Sequence, residues 1–164
     1  MSASRYSLKH HARDEQRILE VCCASAECAI AADAGGGDRI ELCENLEVGG
    51  VTPSGDLLKE VKAGTSLQVF VLIRCRAGNF QFTENEVSGM VAQIEKMRHL
   101  GADGIVCGAL TGEGEIDGEA TSRFITAAGA LPFTFHRAFD DLHDQSAGIA
   151  RLRALGAERI LSSA

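Results

Sequence analysis

Short apolar segments alternate with longer segments of helical pattern along most of this chain. Six short segments rich in β-branched or other apolar residues predict strands, at residues 18–23, 39–43, 68–74, 104–109, 133–137 and 159–162. Between them the pattern predicts helices at residues 26–34, 54–63, 85–100, 119–128 and 146–155. In the third helix, Val87, Met90, Val91, Ile94 and Met97 recur at three- and four-residue spacing, which places them on one face. Such alternation of strands and helices predicts a parallel α/β sheet.

Three segments share one sequence pattern immediately before a predicted strand. GGDRIEL, GADGIVC and GAERILS each begin with Gly and a small residue, continue with an acidic residue, and soon reach an aliphatic residue. We expect each first Gly to end a helix and to turn the chain directly into the next strand. The distance between successive copies corresponds to two βα units of roughly 30 residues each.

Six βα-like units in series predict a TIM (β/α)8-type barrel that is incomplete, with about six of the eight units. The alternative is an open doubly wound sheet, but no GxGxxG segment follows the first strand and the chain has no Walker lysine loop. We assign residues 18–164 to this partial barrel. Residues 1–17 are polar and aperiodic, and they predict a flexible N-terminal extension.

The excess of acidic over basic residues disfavours one class of binding partner, nucleic acids. The 164 residues include 23 acidic and 16 basic side chains, so the formal net charge is −7 and a nucleic-acid backbone is a disfavoured partner. No apolar run reaches the ~20 residues that a membrane helix needs, and the first 17 residues lack the apolar segment of a signal peptide. The sequence therefore predicts a soluble cytoplasmic protein whose partners are small molecules, metals or proteins.

The first two predicted strands repeat the pattern Glu, aliphatic residue, Cys. Because side chains alternate along a strand, Glu20 and Cys22 share one face, and so do Glu41 and Cys43. If these faces line the barrel, two carboxylates and two thiols lie side by side, roughly 5 Å apart from strand to strand. Two thiolates suit a soft ion such as Cu(I), although buried cysteines also serve as small core residues.

Three further polar residues are candidates for the same site. Arg74 and Arg76 alternate around a cysteine at the end of the third strand, and His136 ends the fifth strand. Together with Glu20 and Glu41 they would converge in the barrel mouth, where they could bind an anion or a metal. The alternative is structural: the arginines would neutralise the glutamates in a buried ion-pair layer, and His136 would serve as a hydrogen-bonding residue.

The predicted strands and the loops after them contain six distinctive motifs, LEVC, GGDRIELC, VGGVTPS, VLIRCRAGNF, GADGIVCGAL and PFTFHRAFD. These motifs resemble the copper homeostasis protein CutC family, and the resemblance covers nearly the whole chain from Ile18 onward. The resemblance implies a TIM barrel, a cytoplasmic location and a role in copper handling. It also implies copper binding by the cysteines that end the first two strands, here Cys22 and Cys43.

The chain departs from the family pattern in two places. The family's third strand usually continues Arg-Pro-Arg-Gly-Gly-Asp-Phe, whereas this chain has RCRAGNF, with Ala77 in place of a glycine and Asn79 in place of the acid. The family also continues through two further strands, and the loops of these last units often form a phosphate site in barrels. The first departure weakens the case for a site function of the loop after the third strand, and the second weakens the case for a phosphate-binding activity.

The sequence leaves three functional hypotheses, of which two assign an activity and the third assigns none. In the first, the protein binds Cu(I) through Cys22 and Cys43, with Glu20, Glu41 and His136 around them. In the second, it is a barrel enzyme acting on a small anionic molecule.

In the enzyme hypothesis Glu20 or Glu41 is the general base and His136 the acid, while Arg74 and Arg76 hold the substrate. In the third hypothesis the chain is a degenerate product without activity. Because a six-stranded sheet exposes two edges, we also expect a homo-oligomer.

Overall fold

The structure is a computed structural model that describes residues 17–163. The predicted N-terminal extension lies outside the described residues, except for Arg17. The chain alternates strands and helices in the order β1 (Glu20–Cys23), α1 (Ala26–Ala34), β2 (Arg39–Leu42), α2 (Gly55–Gly64), β3 (Gln68–Leu72), α3 (Glu84–His99), β4 (Gly104–Cys107), α4 (Gly118–Ala128), β5 (Phe133–Phe135), α5 (Gln145–Leu155) and β6 (Arg159–Ile160). Short 3₁₀ helices follow β2 at Leu46–Val48 and β5 at Arg137–Asp141.

The six strands form one parallel sheet in which each strand pairs with its neighbours in sequence. In β1 and β2 the register sets Glu20 against Arg39 and Cys22 against Glu41. Each helix contacts the helix before and after it along the chain. Six parallel strands surrounded by successive helices are an incomplete α/β barrel, which confirms the predicted fold class.

Every α-helix begins at a side chain that caps it. The capping residues, each of which accepts a hydrogen bond from a backbone N–H of the first turn, are Ser25, Ser54, Thr83, Asp117 and Asp144. At α3 the cap is reciprocal, because the Glu86 carboxylate also accepts from the Thr83 backbone N–H. These caps fix where each helix starts behind its strand.

The repeated Gly pattern marks the turns that the sequence predicts. Gly36, Gly101 and Gly156 all have positive φ, between 83° and 94°. A residue with a β-carbon is strained in this left-handed conformation, so glycine lets the chain leave each helix and enter β2, β4 or β6 within a few residues.

The strands separate two apolar clusters. The larger lies between the sheet and the helices, and it includes Ile40, Val71, Ile105 and Phe135. The smaller lies on the other face of the sheet, inside the barrel, and consists of Cys43, Phe70, Leu72 and Val106. Because side chains alternate along each strand, the inner face also receives the polar residues of the candidate site.

Several strands end earlier than the sequence predicts. After β3 the Arg74 backbone N–H donates to the Thr52 side chain instead of to a neighbouring strand. After β5 His136 caps a 3₁₀ helix, so the predicted strand loses its last two residues. No helix within residues 17–163 is long and apolar enough to cross a membrane.

Candidate functional site

A cavity of about 460 Å³ opens on the inner face of the sheet. The residues that line it come from β1, from β2, from the end of β6 and from the loops that follow β2 and β5. They are Glu20, Cys22, Glu41, Leu46, Gly49, Arg137 and Leu161. Glu20, Cys22 and Glu41 come from the repeated Glu-x-Cys pattern, and parallel pairing of β1 with β2 brings them together. The cavity is the candidate site.

Cys22 and Cys43 form a thiol pair beside this cavity, in which Cys22 lines the cavity and Cys43 is fully buried. Their Sγ atoms lie 3.8 Å apart, and both residues are free cysteines. When Cys43 donates its S–H, the hydrogen bond lowers the pKa of the Cys22 thiol and raises that of Cys43, whose burial raises it further. Cys22 is therefore the thiol that ionises first, and a metal bound by both sulfurs would have to displace the proton of Cys43.

Glu41 and Glu20 differ in their surroundings although they lie on adjacent strands. Glu20 forms an ion pair with Arg39 across the β1–β2 pairing. Glu41 is 9% exposed, and burial raises its pKa to about 7, with the Glu20 charge raising it and Arg39 opposing. A carboxyl group with such a pKa gains and loses a proton near neutral pH, which suits acid–base chemistry.

On the inner face of the sheet the Phe70 ring lies between two arginine side chains. The guanidinium carbons of Arg39 and Arg159 each lie 4.5 Å from the Phe70 ring centroid, within the range of cation–π attraction. Arg159 Nε also donates to the Thr134 hydroxyl. Charged, aromatic and hydroxyl side chains from β2, β3, β5 and β6 are thus packed together in this part of the barrel interior.

Arg74 is buried at the rim and holds the loop that follows β2. Its guanidinium donates to four backbone carbonyls, those of Val48, Gly49, Gly50 and Gly78. Gly49 and Gly50 both have φ above +80°, and a β-carbon on Gly50 would lie 2.7 Å from a Leu72 methyl group. The Arg74 side chain is engaged with backbone, and it is not among the residues that line the cavity.

Arg76 lies outside the cavity, against the start of α3. Its Nε donates to Glu86 at 2.5 Å, and its other nitrogens donate to the Asn79 and Gln81 carbonyls. The Arg76 guanidinium, together with the Thr83 cap, holds the pKa of Glu86 at about 2. This arrangement fixes the 76–86 segment, so Arg76 does not converge with Glu20 and Glu41.

His136 is buried at the end of β5. Its Nδ1 accepts from the Ala138 backbone N–H, and its ring lies 4.7 Å from the Phe80 ring centroid. Burial lowers its pKa to about 3, so the imidazole is neutral at physiological pH. Nε2 is buried and has no hydrogen-bond partner among the described residues. The charge of the nearby Arg74 also lowers the pKa of His136. His136 does not line the cavity.

Two residues of chemical interest were missed by the sequence reasoning. Arg137 lines the cavity, and it also lines a neighbouring one of about 310 Å³ with Asp140 and Asp141. Strand alternation would turn Arg137 away from the interior, but the 3₁₀ helix that begins there redirects it. The other residue is Cys28, whose Sγ lies 3.2 Å from that of Cys23.

The donor set at the cavity fits a soft, low-coordinate ion. Within residues 17–163 no group of three or more His, Cys, Asp or Glu side chains is placed to hold a metal ion. Two sulfurs 3.8 Å apart are within the ~4.6 Å that two metal–sulfur bonds of about 2.3 Å can span. Thiolate ligands select Cu(I), so Cys22 and Cys43 fit copper better than a hard cation.

Comparison with known proteins agrees with this architecture. A human protein named copper homeostasis protein cutC homolog is 47% identical over 146 residues, which cover 89% of this chain and 54% of the human protein. A CutC family protein of Salmonella paratyphi A is 41% identical over the same length and 59% covered. The chain thus spans little more than half the length of these relatives.

A solved structure of CutC from Streptococcus agalactiae is 38% identical and superimposes with a TM-score of 0.83. The match covers 89% of this chain and 72% of that one. The pattern of the CutC family matches residues 17–164, which is nearly the entire chain. The chain therefore belongs to the CutC family.

Proposed function

We propose that this chain is a cytoplasmic copper homeostasis protein that binds Cu(I) through Cys22 and Cys43. The observation that carries the proposal is the 3.8 Å separation of the two Sγ atoms, together with the position of Cys22 in the cavity lining. The names of the human and mouse relatives support a role in copper homeostasis. All six cysteines are free, which fits a reducing compartment.

The surroundings of the thiol pair favour a monovalent cation. Two thiolates and one Cu(I) carry a net charge of −1, and Arg137 lines the same cavity. Glu20 is already paired with Arg39, and the raised pKa of Glu41 leaves its carboxyl partly protonated at pH 7. The site thus offers two soft ligands without a fixed excess of negative charge.

An anaerobic Cu(I) titration against a competing chelator tests the proposal. Under reducing conditions we expect one tight site per wild-type chain and its loss in Cys22→Ser/Cys43→Ser. The matched control is Cys28→Ser/Cys75→Ser, which also removes two thiols but leaves the pair intact. Equal binding by wild type and Cys22→Ser/Cys43→Ser would show that these thiols are core packing.

Glu41 supports a second candidate function, a barrel enzyme that acts on a small anionic molecule. Its carboxyl lies in a cavity large enough for a small ligand, and Glu20 and Arg137 line the same cavity. In this proposal Glu41 moves a proton and Arg137 contacts the anion, while Arg74 and His136 position the rim.

Anion binding distinguishes the arginines in the second proposal. Isothermal titration with inorganic phosphate and with small carboxylates would compare wild type with Arg137→Met, Arg74→Met and Arg76→Met. We expect Arg137→Met to abolish binding and Arg76→Met to leave it unchanged, since Arg76 pairs with Glu86 outside the cavity. Loss of binding only in Arg76→Met would contradict this and favour the prediction from sequence.

A further inference from the structure

A second thiol pair lies beside the candidate copper pair. Cys23, the last residue of β1, is fully buried, whereas Cys28 is exposed in the first turn of α1. The Cys28 Sγ lies 3.2 Å from the Cys23 Sγ. The Ser25 side chain accepts from the Cys28 backbone N–H and so fixes the turn that brings the two cysteines together.

We propose that Cys23 and Cys28 are a redox-modification site that closes to a disulfide when an oxidised low-molecular-weight disulfide, such as oxidised glutathione, reacts with Cys28. The site is distinct from the Cys22–Cys43 pair, because Cys23 and Cys22 point to opposite faces of β1. It does not depend on copper binding.

Because Cys28 is exposed and Cys23 is buried, Cys28 reacts with the oxidant and Cys23 reacts afterwards with Cys28. The Cys28 thiolate attacks one sulfur of the oxidant, forms a mixed disulfide and releases one glutathione thiolate. The Cys23 thiol then passes its proton to the released glutathione thiolate, directly or through water, and the resulting Cys23 thiolate attacks the Cys28 sulfur and expels the second glutathione as a thiolate. Two protein thiols are oxidised and one oxidant disulfide is reduced to two thiols, so atoms and electrons balance.

The distance favours a disulfide over a second metal site. Two metal–sulfur bonds of about 2.3 Å would meet at a sharp angle between sulfurs only 3.2 Å apart, whereas two-coordinate Cu(I) prefers an open angle. Closing a disulfide needs the sulfurs to approach to about 2.05 Å. The first turn of a helix can supply that movement because only Cys28 has to shift from an exposed position.

The product would tie the end of β1 to the start of α1, one residue from Cys22. This cross-link closes a short loop and leaves the thiols of Cys22 and Cys43 free. Oxidation at the second pair is therefore expected to occur without loss of the first pair.

Peptide mapping tests the proposal on the reduced 164-residue chain. The protein is equilibrated anaerobically with glutathione buffers of rising oxidised fraction, acid-quenched, alkylated and digested with trypsin. Cleavage after Arg17, Arg39 and Lys59 leaves Cys22, Cys23 and Cys28 in one peptide and Cys43 in the next. We expect the first peptide to carry an internal disulfide and one alkyl group, on Cys22.

Three variants identify the linked pair. Cys28→Ser, at an exposed position that should fold normally, is expected to reduce the internal disulfide to background. Cys22→Ser and the exposed-thiol control Cys75→Ser are expected to retain it at the wild-type level. A cross-link only between the two peptides, or a stable glutathione adduct on Cys28 with Cys23 still alkylated, would overturn the proposal.

Discussion

His136 is a neutral, buried imidazole at the end of β5. The residue is 2% exposed, and burial brings its pKa down from 6.5 to about 3. Its folded-state pKa is therefore depressed below its unfolded value. The stability that depends on neutral His136 is present above pH 6.5 and is lost as the pH falls toward 3, because only the unfolded chain takes up the proton.

Replacement of His136 by Asn should flatten this acid dependence. The Asn side chain oxygen can accept from the Ala138 backbone N–H in place of Nδ1, so the 3₁₀ helix keeps its cap. Below pH 6.5 we expect wild type to lose stability relative to His136→Asn by about 1.4 kcal/mol per pH unit. Urea unfolding at pH 7.5, 6, 5 and 4 measures the difference, and parallel curves for both proteins would refute it.

Glu41 produces the opposite pH dependence. Its folded-state pKa of about 7 lies above the ordinary value of 4.5, so its contribution is complete below pH 4.5 and is lost as the pH rises through 7. The shift corresponds to about 3 kcal/mol. In the copper-free protein we expect Glu41→Gln to gain this amount relative to wild type between pH 4.5 and 8.

Chemical denaturation of the reduced, copper-free protein checks the Glu41 prediction. Glu44→Gln, on the loop after β2, is the matched control and should show no comparable gain. A Glu41→Gln variant whose stability relative to wild type is the same at pH 5 and pH 8 would mean that Glu41 titrates as it does in water.

At the scale of elements, the loop between β2 and α2 depends on one guanidinium. Arg74 Nη1 donates to three consecutive carbonyls of this loop, and Leu46 and Gly49 of the loop line the cavity. A second nitrogen, Nη2, donates to the Gly78 carbonyl, and a lysine ammonium has only one nitrogen with which to reach both groups of acceptors. The loop conformation over the site is therefore set by a residue of the next strand.

Replacement of Arg74 by Lys should loosen this loop. We expect a loss of about 2 kcal/mol in unfolding free energy and faster hydrogen exchange at residues 45–50. Arg76→Lys, whose side chain contacts residues 77–86, is the control and should change exchange only there. Unchanged hydrogen exchange at residues 45–50 in Arg74→Lys would show that the conformation of this loop does not depend on the Arg74 guanidinium.

The sequence identifies the elements better than their ends. Helix starts were predictable where a capping side chain stands before an apolar pattern, as at Ser54. The ends of β3 and β5 were not, because Arg74 and His136 continue the alternation, yet the Arg74 backbone N–H donates to the Thr52 side chain and His136 already caps a 3₁₀ helix. The same departure from strand geometry explains why Arg137 was missed.

The candidate site was predictable only in part. The inward position of Glu20, Cys22 and Glu41 follows from alternation, because paired parallel strands in register keep matching positions on one face. The position of Arg76 outside the cavity was not predictable, since its ion pair with Glu86 depends on a helix ten residues along the chain. The Cys23–Cys28 contact depends on the tightness of one turn, which residue spacing alone does not give.

At the scale of the whole molecule, the described sheet has two free edges. β1 pairs only with β2, and β6 only with β5, within residues 17–163. Ile18 and Leu19, just before β1, are 55% and 56% exposed. Unpaired edges flanked by apolar side chains tend to pair with another chain.

We expect the 164-residue polypeptide to associate in a concentration-dependent way. Size-exclusion chromatography with light scattering measures the mass, and Leu19→Lys should reduce association by placing a charge at the edge. Ile149→Lys, at an equally exposed position on α5, should have no effect. A monomeric wild-type mass at every concentration would contradict the prediction.

We propose that Cys22 and Cys43 together hold one Cu(I). X-ray absorption at the copper edge of the chain loaded with one equivalent of Cu(I) identifies the ligand atoms directly. We expect coordination by two sulfur atoms in wild type and in Cys28→Ser/Cys75→Ser, and loss of that sulfur signal in Cys22→Ser/Cys43→Ser. Nitrogen or oxygen ligands in wild type, or an unchanged sulfur signal in Cys22→Ser/Cys43→Ser, would contradict it.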